Sequence, residues 1–179
     1  MANPERAMKD KNLDYVVIGE GEYVFKQLIG FYSGVCDLPK RGICFRKNET
    51  GELENRGHAE FIKNLDLLPK PAYHLIDFLS YCSKYDERKN VDAPVKVPYA
   101  RIVTSRGCPE KCSFCQVPSL MGSFFRARSP DHVCDEIEWL KKEYGIKSIH
   151  FDEDNILTNT KRAKALFKRM IERGLAMPW

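Results

Sequence analysis

Three cysteines, Cys108, Cys112 and Cys115, stand in the run Thr104-Ser105-Arg106-Gly107-Cys108-Pro109-Glu110-Lys111-Cys112-Ser113-Phe114-Cys115 with the spacing C-x3-C-x2-C. Thiolates are soft ligands that suit iron–sulfur clusters or zinc. Three of them in one tight loop supply three corners of a cubane cluster and leave its fourth iron without a protein ligand. That open position is a place for chemistry, whereas a fully ligated cluster mostly carries electrons. The competing metal is zinc, with Cys134, His132 or Cys82 as a fourth ligand.

Other reactive residue types read as structural. The chain has seven cysteines, an odd count that argues against a closed disulfide framework. Cys36, Cys44, Cys82 and Cys134 are taken as small core or surface residues, and His58, His74 and His150 as structural or exposed. Gly19-Glu20-Gly21-Glu22 is a turn, since its carboxylates would repel phosphate. Lys161, Arg162, Lys164, Lys168 and Arg169 are expected to form a solvated helix face.

The elements that must position the cysteines are legible on both sides of them. Tyr99 to Ser105 reads as a strand that runs into the cysteine loop. Ser129-Pro130 then offers an N-cap followed by proline at the first helical position. Val133, Ile137, Leu140 and Tyr144 recur at helical spacing, and Gly145 supplies the stop. A second strand, Ile146 to Asp152, sets Ile149 and Phe151 on one face. A second helix, about Asn159 to Arg173, is expected to carry Ala163, Leu166, Phe167, Met170 and Ile171 inward. Met177-Pro178-Trp179 stands where a third strand is expected to start. Strand, helix, strand, helix in this order predicts parallel strands in an α/β fold.

Upstream, Leu13 to Ile18 reads as a short strand, Gly19 to Gly21 as a turn, and Glu22 to Ile29 as a helix with apolar residues on one side. One such unit cannot bury both faces of its strand, and it is expected to be the tail of a domain. Gly42 to Arg46 and Leu53 to Arg56 flank a polar turn and predict a hairpin. Pro69 and Pro71 deny a continuous helix across 62–73. The polar stretch 83–92 leads on to Pro94 and Pro98.

At 179 residues the chain suits one moderate domain or two small ones, with 43% hydrophobic and 30% charged residues. Its net charge of +4 is dispersed along the chain and does not point to a nucleic-acid partner. No apolar run is long enough to span a bilayer and the start, Met1 to Arg6, has no apolar signal-peptide core, so a cytoplasmic location is expected.

The cysteine run, with Phe114 just before its last cysteine, resembles the cluster loop of the radical S-adenosylmethionine (radical SAM) enzymes. Arg126-x-Arg128-Ser129-Pro130 with Asp135-Glu136-Ile137 resembles the following helix in the branch that also carries a cobalamin-binding domain. Phe151-Asp152-Glu153-Asp154-Asn155 is similar to that branch's aromatic-acidic-acidic motif. Asp14 to Glu22 resembles the last strand and helix entry of its cobalamin domain, and Leu65 to Ala72 its connector.

The resemblance implies a 4Fe–4S cluster on Cys108, Cys112 and Cys115, with S-adenosyl-L-methionine on the unique iron. Glu153 or Asp154 would accept from the methionyl ammonium, and Phe114 would lie beside the adenine. It implies a small-molecule substrate, an electron donor such as flavodoxin or ferredoxin, and cobalamin in a full-length parent. The expected fold is the first two βα units of a TIM-like partial barrel (99–179). A connector with a hairpin (34–98) and the last strand–helix of a Rossmann-like cobalamin-binding domain (1–33) would precede it. Glu110 departs from the pattern, standing where an aromatic residue is common. No Asp-x-His-x-x-Gly occurs, so no lower-axial histidine is assigned. A complete barrel of this type takes roughly 250 residues, and the expectation is an internal fragment of a longer enzyme, inactive alone. The alternatives are a tRNA methylthiotransferase-like protein and a non-catalytic iron–sulfur or zinc module.

Overall fold

The computed structural model describes residues 3–82, 96–153 and 155–179. Asp154 and the polar stretch 83–92 lie outside the described residues. The chain forms two compact units, Met1–Lys63 with Pro109–Ser123, and Asn64–Cys108 with Phe124–Trp179.

In the first unit, β1 (Tyr15–Val17) leads through the Gly19–Gly21 turn into α1 (Glu22–Tyr32). The hairpin forms as β2 (Ile43–Arg46) and β3 (Leu53–Asn55). β2 is the centre of an antiparallel sheet, with Val16 opposite Cys44 on one side and Phe45 opposite Glu54 on the other. The strand–turn–helix unit and the hairpin therefore share one sheet. Val24 and Leu28 of α1 pack on Ile43 and Ala59. Gly42 permits this: its φ is +82°, and an added Cβ would lie 2.8 Å from both Val24 and Ala59. Glu20 is buried, and its carboxylate accepts from the Ile62 N–H at 2.6 Å, so the turn between the glycines is fastened to backbone. The helix runs three residues beyond the expected Ile29, and its apolar residues are not confined to one side. Phe25, Ile29 and Tyr32 remain exposed because the small sheet covers only the Val24–Leu28 face.

In the second unit, β4 (Tyr99–Ile102) ends earlier than the expected Ser105. β5 (Ser105–Arg106) separates from it and pairs antiparallel with β6 (Arg126–Ala127). Then follow α2 (Pro130–Tyr144), β7 (Ser148–Phe151) and α3 (Thr160–Glu172). β4 and β7 are parallel, with Ala100 opposite Ile149 and Ile102 opposite Phe151. This is the expected pair of βα units. The Ser129 hydroxyl caps α2 by accepting from the His132 N–H, Pro130 opens it, and Gly145 closes it in the left-handed conformation. Asn159 caps α3 by accepting from the Arg162 N–H.

Val133, Ile137 and Leu140 of α2 meet Leu166 and Met170 of α3 over Ala100, Ile102 and Ile149. Full burial of each such aliphatic side chain contributes about 1.5–3 kcal/mol. Ile171 is 70% exposed, contrary to expectation. It follows Met170, which already fills the inner position, and the helical step of about 100° carries it outward. Past the helix, the Pro178 carbonyl accepts from the Ile149 N–H at 3.0 Å, and Trp179 stacks on Phe167. The chain thus begins to pair beside β7 where a third strand was expected.

Residues 64–82 contain two 3₁₀ turns, Leu65–Leu67 and Tyr73–Leu75, and a short helix, Phe78–Cys82. Pro69 and Pro71 fall between the turns. Tyr73 stacks on Phe78 and Trp139, which fixes this segment to α2. Among the described residues, no helix is long and apolar enough to cross a membrane.

Candidate metal centre

The cysteine loop leaves the second unit at the carboxyl end of β4 through a narrow neck. Its base is the two-residue ladder of β5 and β6, with Ser105 opposite Ala127 and Arg106 opposite Arg126. Gly107, at a φ of +80°, turns the chain into Cys108. Cys108 belongs to the second unit, Cys112 and Cys115 to the first. A turn closed by the Cys115 N–H on the Cys112 carbonyl (3.1 Å) links the last two cysteines. A five-residue helix, Val117–Met121, follows them.

All seven cysteines are free thiols. Cys112 is exposed, while Cys108 and Cys115 are half-buried. Cys44, Cys82 and Cys134 are buried, and burial pushes each of their thiols up from the ordinary value. Those three are neutral core residues. Among the described residues, no group of three or more His, Cys, Asp or Glu side chains is gathered closely enough to hold a metal ion. The proposed fourth zinc ligands are also committed elsewhere. Cys82 and Cys134 sit in the apolar core, and His132 Nδ1 accepts from Arg128 Nε at 3.0 Å and lies 3.3 Å from Asp66. The thiols of Cys108, Cys112 and Cys115 are free and lie outside both apolar cores, and donors of this soft type suit iron–sulfur chemistry.

Glu153, just beyond β7, lies beside the start of this neck. Its carboxylate accepts from the Thr104 N–H at 2.8 Å and from the Ser105 hydroxyl at 2.7 Å. The acid thus joins the carboxyl ends of the two parallel strands, the edge where ligands bind in folds of this kind. Asp152 is exposed and paired with Arg101. Phe114 is 88% exposed and holds no place in either core.

Four polar residues of the neck region carry more than the sequence suggested. Glu136 is only 2% exposed and pairs with Arg128 at 2.5 Å. Its place beside Val133, Ile137 and Leu140 on the apolar stripe was the available signal. Asp66 accepts from the Ser129 N–H, anchoring the preceding segment at the start of α2. Thr104 is wholly buried. Arg162 does not join a solvated basic face: it turns inward, and burial pushes its guanidinium down from the ordinary value while the Glu153 charge opposes that shift. Arg169 of the same face is tied to Asp131 at 2.6 Å.

Residues 102–176 match the family model described as the Radical SAM superfamily. An uncharacterised methyltransferase of Pyrococcus horikoshii is 35% identical over 98% of this chain and 36% of its own length. The cytidylyl-2-hydroxyethylphosphonate methyltransferase of Streptomyces wedmorensis is 32% identical over the same shares. The chain thus spans about a third of the length of these relatives. Its fold resembles that of the cobalamin-dependent S-adenosylmethionine radical enzyme OxsB, solved with aqua-cobalamin bound. That likeness has a TM-score of 0.71 at 20% identity, over 98% of this chain and 23% of the other. Residues 102–176 thus carry the match to the radical SAM superfamily, and relatives align along nearly all of the chain.

Proposed function

We propose that this chain is the cluster-bearing portion of a cobalamin-type radical SAM methyltransferase, with a 4Fe–4S cluster on Cys108, Cys112 and Cys115. One observation carries the reading: the C-x3-C-x2-C run leaves the carboxyl end of the first of two parallel strands inside the stretch that matches the family. Such a cluster, once reduced, supplies the electron that cleaves a carbon–sulfur bond of S-adenosylmethionine to methionine and a 5′-deoxyadenosyl radical.

The chain's own residues would bind and orient. Glu153, held by Thr104 and Ser105, presents a fixed carboxylate to the methionyl ammonium, and Asp154 is its neighbour in sequence. Phe114 offers a flat apolar face to the adenine, a contact that would take it out of solvent. The methyl acceptor is a small molecule, and an electron donor of the flavodoxin or ferredoxin type supplies the reducing equivalent. Cobalamin belongs to the longer parent. The strand–helix of 1–33 is the end of its binding domain, 34–98 the connector and 99–179 the start of the catalytic barrel. A thiolate-held cluster of this type suits the reducing cytoplasm.

The test is anaerobic reconstitution of the chain with iron and sulfide. The expected product is brown and holds about four irons per chain. Replacing any of Cys108, Cys112 or Cys115 by Ala abolishes it, while Cys36→Ala does not. A colourless protein with one zinc per chain would overturn the reading.

A further inference from the structure

The neck of the cysteine loop is too short to hold itself. Two ladder pairs, β5 with β6, make a hairpin base that is marginal in water without other support. Thr104 stands just before β5 and Arg128 just after β6, so these two residues are where the chain enters and leaves the neck. The Thr104 carbonyl accepts from the Arg128 N–H at 2.9 Å and from Arg162 Nη2 at 3.1 Å. The Arg128 carbonyl accepts from the same Arg162 Nη2 at 3.2 Å. One guanidinium nitrogen, brought in by the first turn of α3, therefore bridges both stems of the loop.

That arrangement is costly. Among the described residues, Arg162 Nε and Nη1 are buried without a hydrogen-bond partner, and unmade hydrogen bonds of a buried charged group carry its desolvation penalty. The apolar core does not need the charge. Leu166 and Met170 of the same helix fill it, and an uncharged side chain at residue 162 would cover the strand ends without that penalty. The use of the guanidinium lies in the two carbonyls it joins. Beside it, Glu153 fastens the Thr104 N–H and the Ser105 hydroxyl, so both faces of the entering stem are held by α3 and β7.

We propose that Arg162 is a positioning residue for the cluster: it clasps the two stems of the cysteine loop at Thr104 and Arg128 and so fixes where Cys108 is delivered. The proposal rests on the cluster reading given above, but its core, the clasp, stands independently of any bound metal.

The test uses Arg162→Lys, Arg162→Gln and Arg162→Met in the same chain, with two readouts. In the metal-free protein, hydrogen exchange at the Arg128 amide should quicken about tenfold in the Gln and Met variants, the worth of one charged hydrogen bond. The Ile149 amide on the far strand should be unchanged, which shows that the barrel portion stays folded. In the reconstituted protein, an iron(II) chelator should strip the cluster at least about tenfold faster from those two variants. Arg162→Lys should restore part of both, since an ammonium still reaches two carbonyls. Unchanged Arg128 exchange with Ile149 protected would overturn the clasp. Quickened exchange with unchanged cluster release would overturn the positioning role. A wild-type chain that takes up no cluster would instead overturn the parent reading, leaving the exchange result to decide the clasp.

Discussion

Arg128 and Glu136 form an ion pair at 2.5 Å in which the two side chains are only 12% and 3% exposed. The pair couples the exit of the cysteine loop to the inner face of α2, because Arg128 Nη1 also donates to the Val103 carbonyl. Removing one partner of a buried pair strands the other charge in a poorly solvated place.

Glu136→Ala should therefore cost about 3–5 kcal/mol of stability, read as a shift of the urea midpoint at constant slope. Arg128→Met combined with Glu136→Leu should lose less than Glu136→Ala alone, since it leaves no unpaired charge. A single-variant cost of under about 1 kcal/mol would mean that water reaches the pair and it acts as a surface bridge.

Glu153→Gln removes the negative charge while its one amide oxygen can still accept from the Thr104 N–H and its NH2 can donate to the Ser105 hydroxyl oxygen. On the proposed reading, S-adenosylmethionine should bind about 10- to 100-fold more weakly, the loss expected for one charged hydrogen bond. Iron content should stay at the wild-type level. Equilibrium titration of the reconstituted protein separates these. Equal affinity would leave Glu153 as a strand tie only.

Local signals in the sequence were enough for the elements around the cysteines. Ser129-Pro130, Gly145 and the spacing of Val133, Ile137 and Leu140 mark α2 within its own turns, and those residues cap, stop and bury it as read. The neck was not legible. β5 and β6 pair Ser105 with Ala127 and Arg106 with Arg126 across the loop, and Arg162 meets Thr104 and Arg128 from 58 and 34 positions away. Nothing local distinguishes Arg162 from the exposed Lys161 and Lys164 beside it. The exposed side of α1 was not legible for a related reason: apolar spacing shows which residues share a face, not whether a neighbour covers it. Position at a strand end singles out Glu153, but its bonds to the Thr104 N–H and the Ser105 hydroxyl leave no trace in spacing.

Tyr73 predicts a pH dependence. Burial, followed by the Glu136 charge, pushes its phenol up from 10.0 to about 12. Below the ordinary value both folded and unfolded chains keep the proton, and stability is unaffected. Above it the unfolded chain releases the proton while the folded chain holds it up to about 12, so stability falls as pH rises across that window. Tyr73→Phe should flatten this part of the profile relative to wild type, measured as urea midpoints between those two values. An unchanged slope would place the phenol in water.

The thiols divide into two reactivity classes, and the division tests both the fold and the proposed centre. Cys44, Cys82 and Cys134 are buried and held in the thiol form by burial, so a thiolate-specific alkylating reagent should reach them only after unfolding. Cys36, Cys108, Cys112 and Cys115 are exposed or half-buried, so they should be modified in the native metal-free chain. After anaerobic reconstitution the pattern should change at three positions only. Cys108, Cys112 and Cys115 become protected together because each thiolate is bound to iron, while Cys36 keeps reacting at its former rate. Peptide mapping by mass spectrometry reads all seven positions in one experiment. Protection of Cys36 with the others would indicate general closure of the chain. Protection of two loop cysteines without the third would remove the basis for a three-thiolate cluster with an open iron.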